Sequence, residues 1–323
     1  MPIDPETLVV VVIALAVDAI IGDPDAVWRR WPHPVVAIGR LIALLDDGLN
    51  RQTWSRARRK AAGVVAIIIV VAMAIAIGLA LERALRHVPG GLVVSGILAS
   101  ILIAQNSLYR HVARVRAAFA EGGLPAARKA VAMIVGRNPD VLDEAAVCRA
   151  AIESCAENFA DGVVAPVVWL ALFGLPGLIA YKAINTADSM IGHRTLRHQD
   201  FGWAAARLDD LVNLLPARLA GLLIAIVAPL ANGSITEALK VMWRDARNHR
   251  SPNAGWPESA MASALGVALA GPRTYGDVTI DDRFLNAAGR HDAAPNDIDR
   301  ALRVYVGACV LQASVYAVLI VAM

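Results

Sequence analysis

Three short stretches of the chain gather the residue types that hold cations and anions. The first is Glu153-Ser154-Cys155-Ala156-Glu157-Asn158-Phe159-Ala160-Asp161-Gly162. On an α-helix Glu153, Glu157 and Asp161 stand four residues apart and share one face. Like charges at that spacing repel by about 0.2–0.5 kcal/mol per pair. A cation relieves the repulsion, and Mg²⁺ is commonly held by one or two carboxylates with water and phosphate oxygens. A solvated acidic helix face has the same pattern. Asn158 beside the acids, and the apolar run that follows, set this stretch apart.

The second stretch runs from Tyr181 and Lys182 through Asn185, Asp188, Ser189 and Gly192 to His193 and Arg194. Lys182, Asn185 and Ser189 fall on one helical face, with Asp188 a turn from Asn185. An arginine fork and a lysine point charge are the usual means of holding phosphate or carboxylate, which makes Lys182, His193 and Arg194 candidates for anion recognition. Lys182 ends an apolar run, so snorkelling to an interface explains it equally. The third stretch, Asp209-Asp210-Leu-Val-Asn213-Leu-Leu-Pro216-Ala-Arg218, sets two acids a turn before an amide. It suits a cation or, more plainly, a helix cap. Asp18 interrupts an apolar run, and the rigid turns Gly22-Asp23-Pro24 and Trp31-Pro32-His33-Pro34 can aim Asp23 and His33 inward. The polar loop His249–Glu258, with Asn253, can wrap a ligand or simply connect two elements. GxxxxGK[ST], GxGxxG and HExxH are all absent, so a nucleotide would bind without a P-loop. Cys148, Cys155 and Cys309 form no CxxC pair, and a disulfide framework is not expected.

The elements that carry these groups are set by hydropathy. Of 323 residues, 57% are hydrophobic and only 18% charged, where a soluble domain has roughly half and about a quarter. The net charge of +3 gives no case for a nucleic-acid partner. Apolar residues concentrate in Leu8–Ile21, Ala61–Leu81, Leu92–Leu108, Val163–Ile184, Leu211–Ala231 and Val304–Met323. A membrane-crossing helix needs about 20 residues, and Ala61–Leu81 has no polar face at any helical period, unlike a helix on a soluble core. The fold expected is all-α: a polytopic helical membrane protein of four to six spans, with broken or re-entrant helices and an extramembrane helical and loop lobe. It reads as one integral membrane domain over 1–323, with a cytoplasmic helical segment at 109–162 and the lobe at 232–303. The start, MPIDPETL, lacks the basic region of a signal peptide, so Leu8–Ile21 is expected to stay as an anchor. Asp23–Lys60 holds eight Lys and Arg, which places it in the cytoplasm. Asn138-Pro139-Asp140 reads as the capped start of a helix running through Cys148 to Glu157. Gly174-Leu175-Pro176-Gly177 breaks Val163–Ile184. One kinked span would part Glu153–Asp161 from Asn185–Arg194 across the membrane; a re-entrant hairpin, the expected form, would return the chain to the side it left.

GDP followed by HPVVAIGRLI, then ESCAENFADGVVAP, YKAINTADSMIGH, DDLVNLLPARL and SPNAGWPESAMASALGVALAGP, resemble the CobD/CbiB family, in family order as far as about residue 280. The resemblance implies an adenosylcobinamide-phosphate synthase of cobalamin biosynthesis, a multi-pass enzyme of the inner membrane with its active site on the cytoplasmic side. Such an enzyme joins a corrinoid, adenosylcobyric acid, to aminopropanol phosphate through an amide bond, with ATP as co-substrate and Mg²⁺, and associates with other enzymes of the pathway. On that reading Glu153, Glu157, Lys182 and Asp188 are catalytic. Glu153, Glu157, Asp161, Asp188, Asp209 and Asp210 hold the metal. Asn158, Asn185, Ser189, His193, Arg194, Asn213, Arg218 and Asn253 bind substrate or phosphate. The broken helices also suit a secondary transporter or an AmpE-like membrane sensor; a transporter would concentrate its polar groups at mid-span, whereas here they gather at span ends.

Overall fold

A computed structural model describes residues 4–135, 139–275, 278–280 and 282–323. In chain order its helices are α1 (Pro5–Ile20), α2 (Asp25–Trp28), α3 (Pro34–Leu49), α4 (Arg56–Arg86), α5 (Gly91–Ser100), α6 (Gln105–Val131), α7 (Glu144–Phe159), α8 (Ala165–Ile191), α9 (Trp203–Val212), α10 (Leu214–Ile226), α11 (Ile235–Asp245), α12 (Gly255–Leu265) and α13 (Pro295–Ala322). Four short strands interrupt the helices: β1 (Leu269–Ala270) pairs antiparallel with β4 (Phe284–Leu285), and β2 (Arg273–Tyr275) with β3 (Val278–Ile280). Four helical stretches are long and apolar enough to cross a membrane: Arg56–Arg86, Gly91–Val131, Glu144–Ile191 and Pro295–Ala322. The protein is a helical membrane protein. Leu8–Ile21 forms the shorter α1, of 16 residues. In Leu211–Ala231, where Pro216-Ala217-Arg218 and Pro229 suggest breaks, the chain is interrupted at Asn213, between α9 and α10; Pro216 sits in the first turn of α10, where its missing N–H costs little, and Pro229 lies in the 3₁₀ turn Ala228–Ala231 that follows α10.

The chain divides into two compact units: residues 1–104, 165–213 and 316–323 form the first, and 105–164 with 214–315 the second. The segment 109–162 thus belongs to the same unit as 232–303.

In the first unit α4 packs along α8, α3 and α9, and α1 along α5. Its core includes Ile42, Ile67, Val70, Ala74, Ala183, Ile191 and Phe201. Within α8, Gly174 has φ +64° and ψ −155°, outside the helical region. Residues eight apart on an α-helix are about 12 Å apart. A Cβ placed on Gly177 would nonetheless stand 3.2 Å from the Trp169 carbonyl carbon and 2.6 Å from Phe173 Cβ. The chain therefore reverses at Gly174–Gly177, and α8 is a hairpin of two arms rather than one kinked rod. Both arms reach the end of α9: Trp169 Nε1 donates to the Val212 carbonyl at 3.2 Å, and the Tyr181 hydroxyl to Asn213 Oδ1 at 3.0 Å. The Glu82 carboxylate of α4 accepts the Leu175 N–H at 2.9 Å, capping the returning arm. Gly78 lets the tip sit on α4, since a Cβ there would lie 2.6 Å from the Pro176 nitrogen.

In the second unit α12 is buried on every side, as an apolar helix at the centre of a bundle must be. Helices α10, α11 and α7 pack around it. Helix α7 begins later than expected: Pro139–Val141 make one 3₁₀ turn, and Asp143 caps α7 by accepting the Ala146 N–H at 2.7 Å. Asn138, the expected cap, lies outside the described residues. From Ala160 to Val164 the helix widens into a π turn.

Gly78→Val should lower the thermal midpoint of the detergent-solubilised protein, because the backbone of Pro176 has nowhere to move. The expected loss is about 1–3 kcal/mol; an unchanged midpoint would show that the hairpin tip does not rest on α4.

Candidate functional site

The residues with the most concerted geometry lie in the first unit, where the returning arm of α8 faces α9. Steps of four residues, Tyr181 to Asn185 on one helix and Asn213 back to Asp209 on the other, put four polar side chains in register. Asn185 Nδ2 donates to Asp209 Oδ1 at 3.3 Å and Asn213 Nδ2 to Asp209 Oδ2 at 3.0 Å. Asn213 is itself held by Tyr181, so a buried phenol orients an amide that orients a carboxylate. Asp209 is only 8% exposed. Burial, and then the negative charge of Asp188, push its carboxyl up to about 7, although both amide hydrogen bonds pull the other way. Burial also raises Asp210, against the charges of Arg207 and Arg194; Arg207 Nη1 lies 3.5 Å from its carboxylate.

The cluster continues into the turn after α8. Gly192 closes on the carboxylate of Asp188, where a Cβ would stand 2.8 Å from Asp188 Cγ. His193 and Arg194 follow on the surface, with the charge of His193 acting on Asp188. Ser189 turns its hydroxyl back to the Asn185 carbonyl at 2.9 Å, and Lys182 is half-buried one turn before Asn185. The third stretch and the second therefore form one site, joined by Asn185–Asp209 and Tyr181–Asn213.

The remaining expected residues belong to the second unit. Glu153 is buried and accepts the Ala270 N–H at 2.7 Å. Ala270 has φ +58°, a left-handed conformation unusual for a residue with a Cβ, so this carboxylate secures a strained turn of β1. Glu157 and Asn158 are exposed; Asn158 Nδ2 donates to the Ser154 carbonyl at 2.9 Å. Asp161 lies in the π turn, whose wider pitch shifts its phase from the i, i+4 face assumed for Glu153 and Glu157. Among the described residues, no three Asp, Glu, His or Cys side chains converge as a ready-made metal site. Arg218 stacks over the Trp256 ring at 4.4 Å, and Asn253 is buried beneath the loop that starts α12.

Two polar arrangements went unread in the sequence. His249 accepts the Ser251 N–H at Nδ1, which leaves Nε2 as the protonated nitrogen, 3.6 Å from the buried Glu258. In the first unit Asp46 gathers Asn50, Arg197 and His198 at 2.7, 2.7 and 3.3 Å, while Arg59 bonds Asn50 and the Arg197 carbonyl. Burial raises the Asp46 carboxyl, but those hydrogen bonds outweigh it and hold it below the usual carboxylate range. The Asp46–Arg197 separation in sequence gives no local signal. His33 and Asp23 do meet, at 3.7 Å, and His33 Nδ1 caps α3 through the Val35 N–H.

A family model described as CobD/Cbib protein matches residues 11–305. The chain belongs to the CobD/CbiB family. It is 51% identical to a protein of Rhizobium meliloti (strain 1021) named cobalamin biosynthesis protein CobD, over 94% of each chain. Proteins of the same name from Brucella suis biovar 1 and Rhodobacter capsulatus are 50% and 49% identical, over 92% and 91% of both chains. No solved structure matches the chain. The family match spans both units, so the carboxylate–amide cluster and the α12 lobe both lie inside it.

Asp209 sets a pH dependence of defined sign. Its folded pKa lies above the ordinary value of about 4, so its contribution to stability is full below about pH 4 and is lost as pH rises through about 7. In chelator the wild-type melting temperature should fall between pH 5 and 8, and Asp209→Asn should flatten that slope. Equal slopes would mean that Asp209 ionises normally.

Proposed function

We propose that the chain is an adenosylcobinamide-phosphate synthase, joining adenosylcobyric acid to aminopropanol phosphate in an ATP-dependent step of cobalamin biosynthesis at the cytoplasmic face of the inner membrane. Family membership supports the pathway, as does the name shared by its relatives. The observation that carries the chemistry is the buried Asp209, oriented by two amides with Asp188 close enough to raise its pKa.

A carboxylate does not condense with an amine in water until its oxygen becomes a leaving group. In the proposed reaction a corrinoid carboxylate oxygen attacks the terminal phosphorus of ATP, and ADP departs. The amine nitrogen of aminopropanol phosphate then attacks the acyl carbon. The acyl C–O bond breaks, phosphate leaves, and the nitrogen gives up a proton. Phosphoryl transfer depends mainly on positioning and charge neutralisation. Lys182, on the returning arm of α8, and His193 and Arg194, in the turn that follows it, would supply positive charge for phosphate oxygens. Asn185 and Asn213 fix the rotamer of Asp209, and Tyr181 fixes Asn213.

The donor set fits Mg²⁺. Asp188 and Asp209 offer two oxygen ligands whose mutual repulsion a hard cation relieves, leaving other positions to water and phosphates. When bound, the ion would neutralise charge on the nucleotide phosphates. Asp210, beside Asp209 on α9, adds a further carboxylate to this cluster, whereas Glu153, Glu157 and Asp161 belong to the second unit, where Glu153 holds the Ala270 N–H.

Asp188→Asn should reduce ATP-dependent amide formation by purified protein at least about a hundredfold, with the protein still folded in detergent. Full turnover by Asp188→Asn and Asp209→Asn would overturn the assignment. Substrate movement across liposomes without ligation would favour a transporter instead.

A further inference from the structure

Helix α4 anchors polar structure at both of its ends. Arg59, near its start, bonds the Arg197 carbonyl in the turn after α8, while Glu82, near its end, holds the tip of the α8 hairpin. Along the helix axis these two residues stand about 34 Å apart, close to the depth of a hydrocarbon core, about 30 Å. The Glu82 end therefore meets the membrane surface opposite the turn after α8. There the first unit holds a cavity of about 450 Å³ between the starts of α1 and α5, the end of α4 and the hairpin tip. Small-molecule sites usually have roughly 300–1,000 Å³.

Close packing fixes the walls. A Cβ on Gly96 would stand 2.7 Å from Ile13 Cβ, so α5 lies directly on α1. One on Gly91 would stand 3.0 Å from the Leu85 carbonyl carbon, so α5 starts hard against the end of α4. Leu85, Leu92, Val93 and Leu175 give the cavity apolar sides, and its charged lining is Asp4, Glu6, Glu82 and Arg86. Among the described residues no ion pair joins Arg86 to these acids, so the excess of negative charge stands. Asp4 accepts the Thr7 hydroxyl at 3.3 Å and Glu82 spends Oε1 on the Leu175 N–H, but the Glu6 side chain has no hydrogen bond. Ser95 also lines the cavity; it is only 7% exposed and its hydroxyl has no hydrogen-bond partner among the described residues. Such a hydroxyl, largely shut away from water, costs free energy until a ligand pairs with it.

We propose that this cavity binds the primary ammonium group of an amphiphile, with the ammonium among Glu6, Glu82 and Ser95 and the apolar body along Leu85, Leu92 and Val93. These acids do not converge tightly enough to enclose a metal ion. An ammonium group has three N–H donors and stays charged near neutral pH, so it can serve separated oxygens at once. An anion is repelled by the net charge of the lining. In a bilayer this chemistry belongs to the ethanolamine headgroup of phosphatidylethanolamine; outside it, to a soluble alkylamine. The site lies at the hairpin tip and does not rest on the synthase reading.

The test is native mass spectrometry of the full chain in detergent, titrated separately with phosphatidylethanolamine, phosphatidylcholine and phosphatidylglycerol of matched acyl chains, and with octylamine. Phosphatidylethanolamine should bind at least about tenfold more tightly than the other two lipids, whose headgroups lack ammonium N–H donors. That preference assigns the lipid source; saturable binding of octylamine without it assigns a soluble amine. In either case Glu6→Gln, at an exposed residue with no side-chain partner to lose, should weaken binding at least about threefold. Ser95→Ala should weaken it as well while leaving the melting temperature unchanged. Asp209→Asn should leave this affinity within about twofold even if synthesis is lost, which separates failure of this site from failure of the synthase reading. Unaltered binding in both Glu6→Gln and Ser95→Ala, or no preference for phosphatidylethanolamine together with no saturable binding of octylamine, would overturn the proposal.

Discussion

A chain that turns back within an apolar region exposes amide N–H groups that no helix satisfies, and each left unpaired there costs several kcal/mol. The Glu82–Leu175 hydrogen bond meets that demand at the tip of α8. The carboxylate stands at the start of the returning arm, where the helix dipole favours negative charge. Gly174, with positive φ, makes the reversal sterically possible, and Gly78 lets it rest against α4. The carboxylate–amide cluster of the first unit depends on this turn, because it lays the arm carrying Tyr181, Asn185 and Asp188 beside α9.

Once that arm is in place, the acids of the site are under opposing pressures. Burial raises the carboxyl of Asp209, and Asp188 adds like charge, while two amides hold its oxygens in a fixed orientation. Stability alone would favour an apolar pair at such a position. That carboxyl, oriented by the phenol–amide relay, is the feature on which the proposed cation site rests. Asp46 shows the contrasting case. Arginine, histidine and amide donors satisfy it fully, and it joins α3 to the turn after α8 as structural cement.

Chemistry-bearing residue types were plain in the sequence, because acids and amides spaced by three or four against apolar runs are unusual. The Gly174–Gly177 break and the apolar lengths were equally legible, since both depend on local composition. Partners were not. Asp209 with Asn185, Glu153 with Ala270 and Asp46 with Arg197 meet only after long excursions of the chain, and periodicity carries no information about such pairs. The π turn at Ala160–Val164 escaped for another reason: its hydrogen-bond shift leaves no composition signal, yet it changes which face Asp161 presents.

Sequence alone thus determined a helical membrane protein, the place where one helix must break, and the family through its motifs, because hydropathy, backbone stereochemistry and residue order are local properties. Tertiary structure decided that the break is a reversal, that Asp209 is a buried, oriented acid, that Glu153 holds the backbone of β1, and that Arg218 lies over Trp256. Each of these depends on which surfaces are excluded from solvent together, a property that no single segment possesses until the others are packed against it.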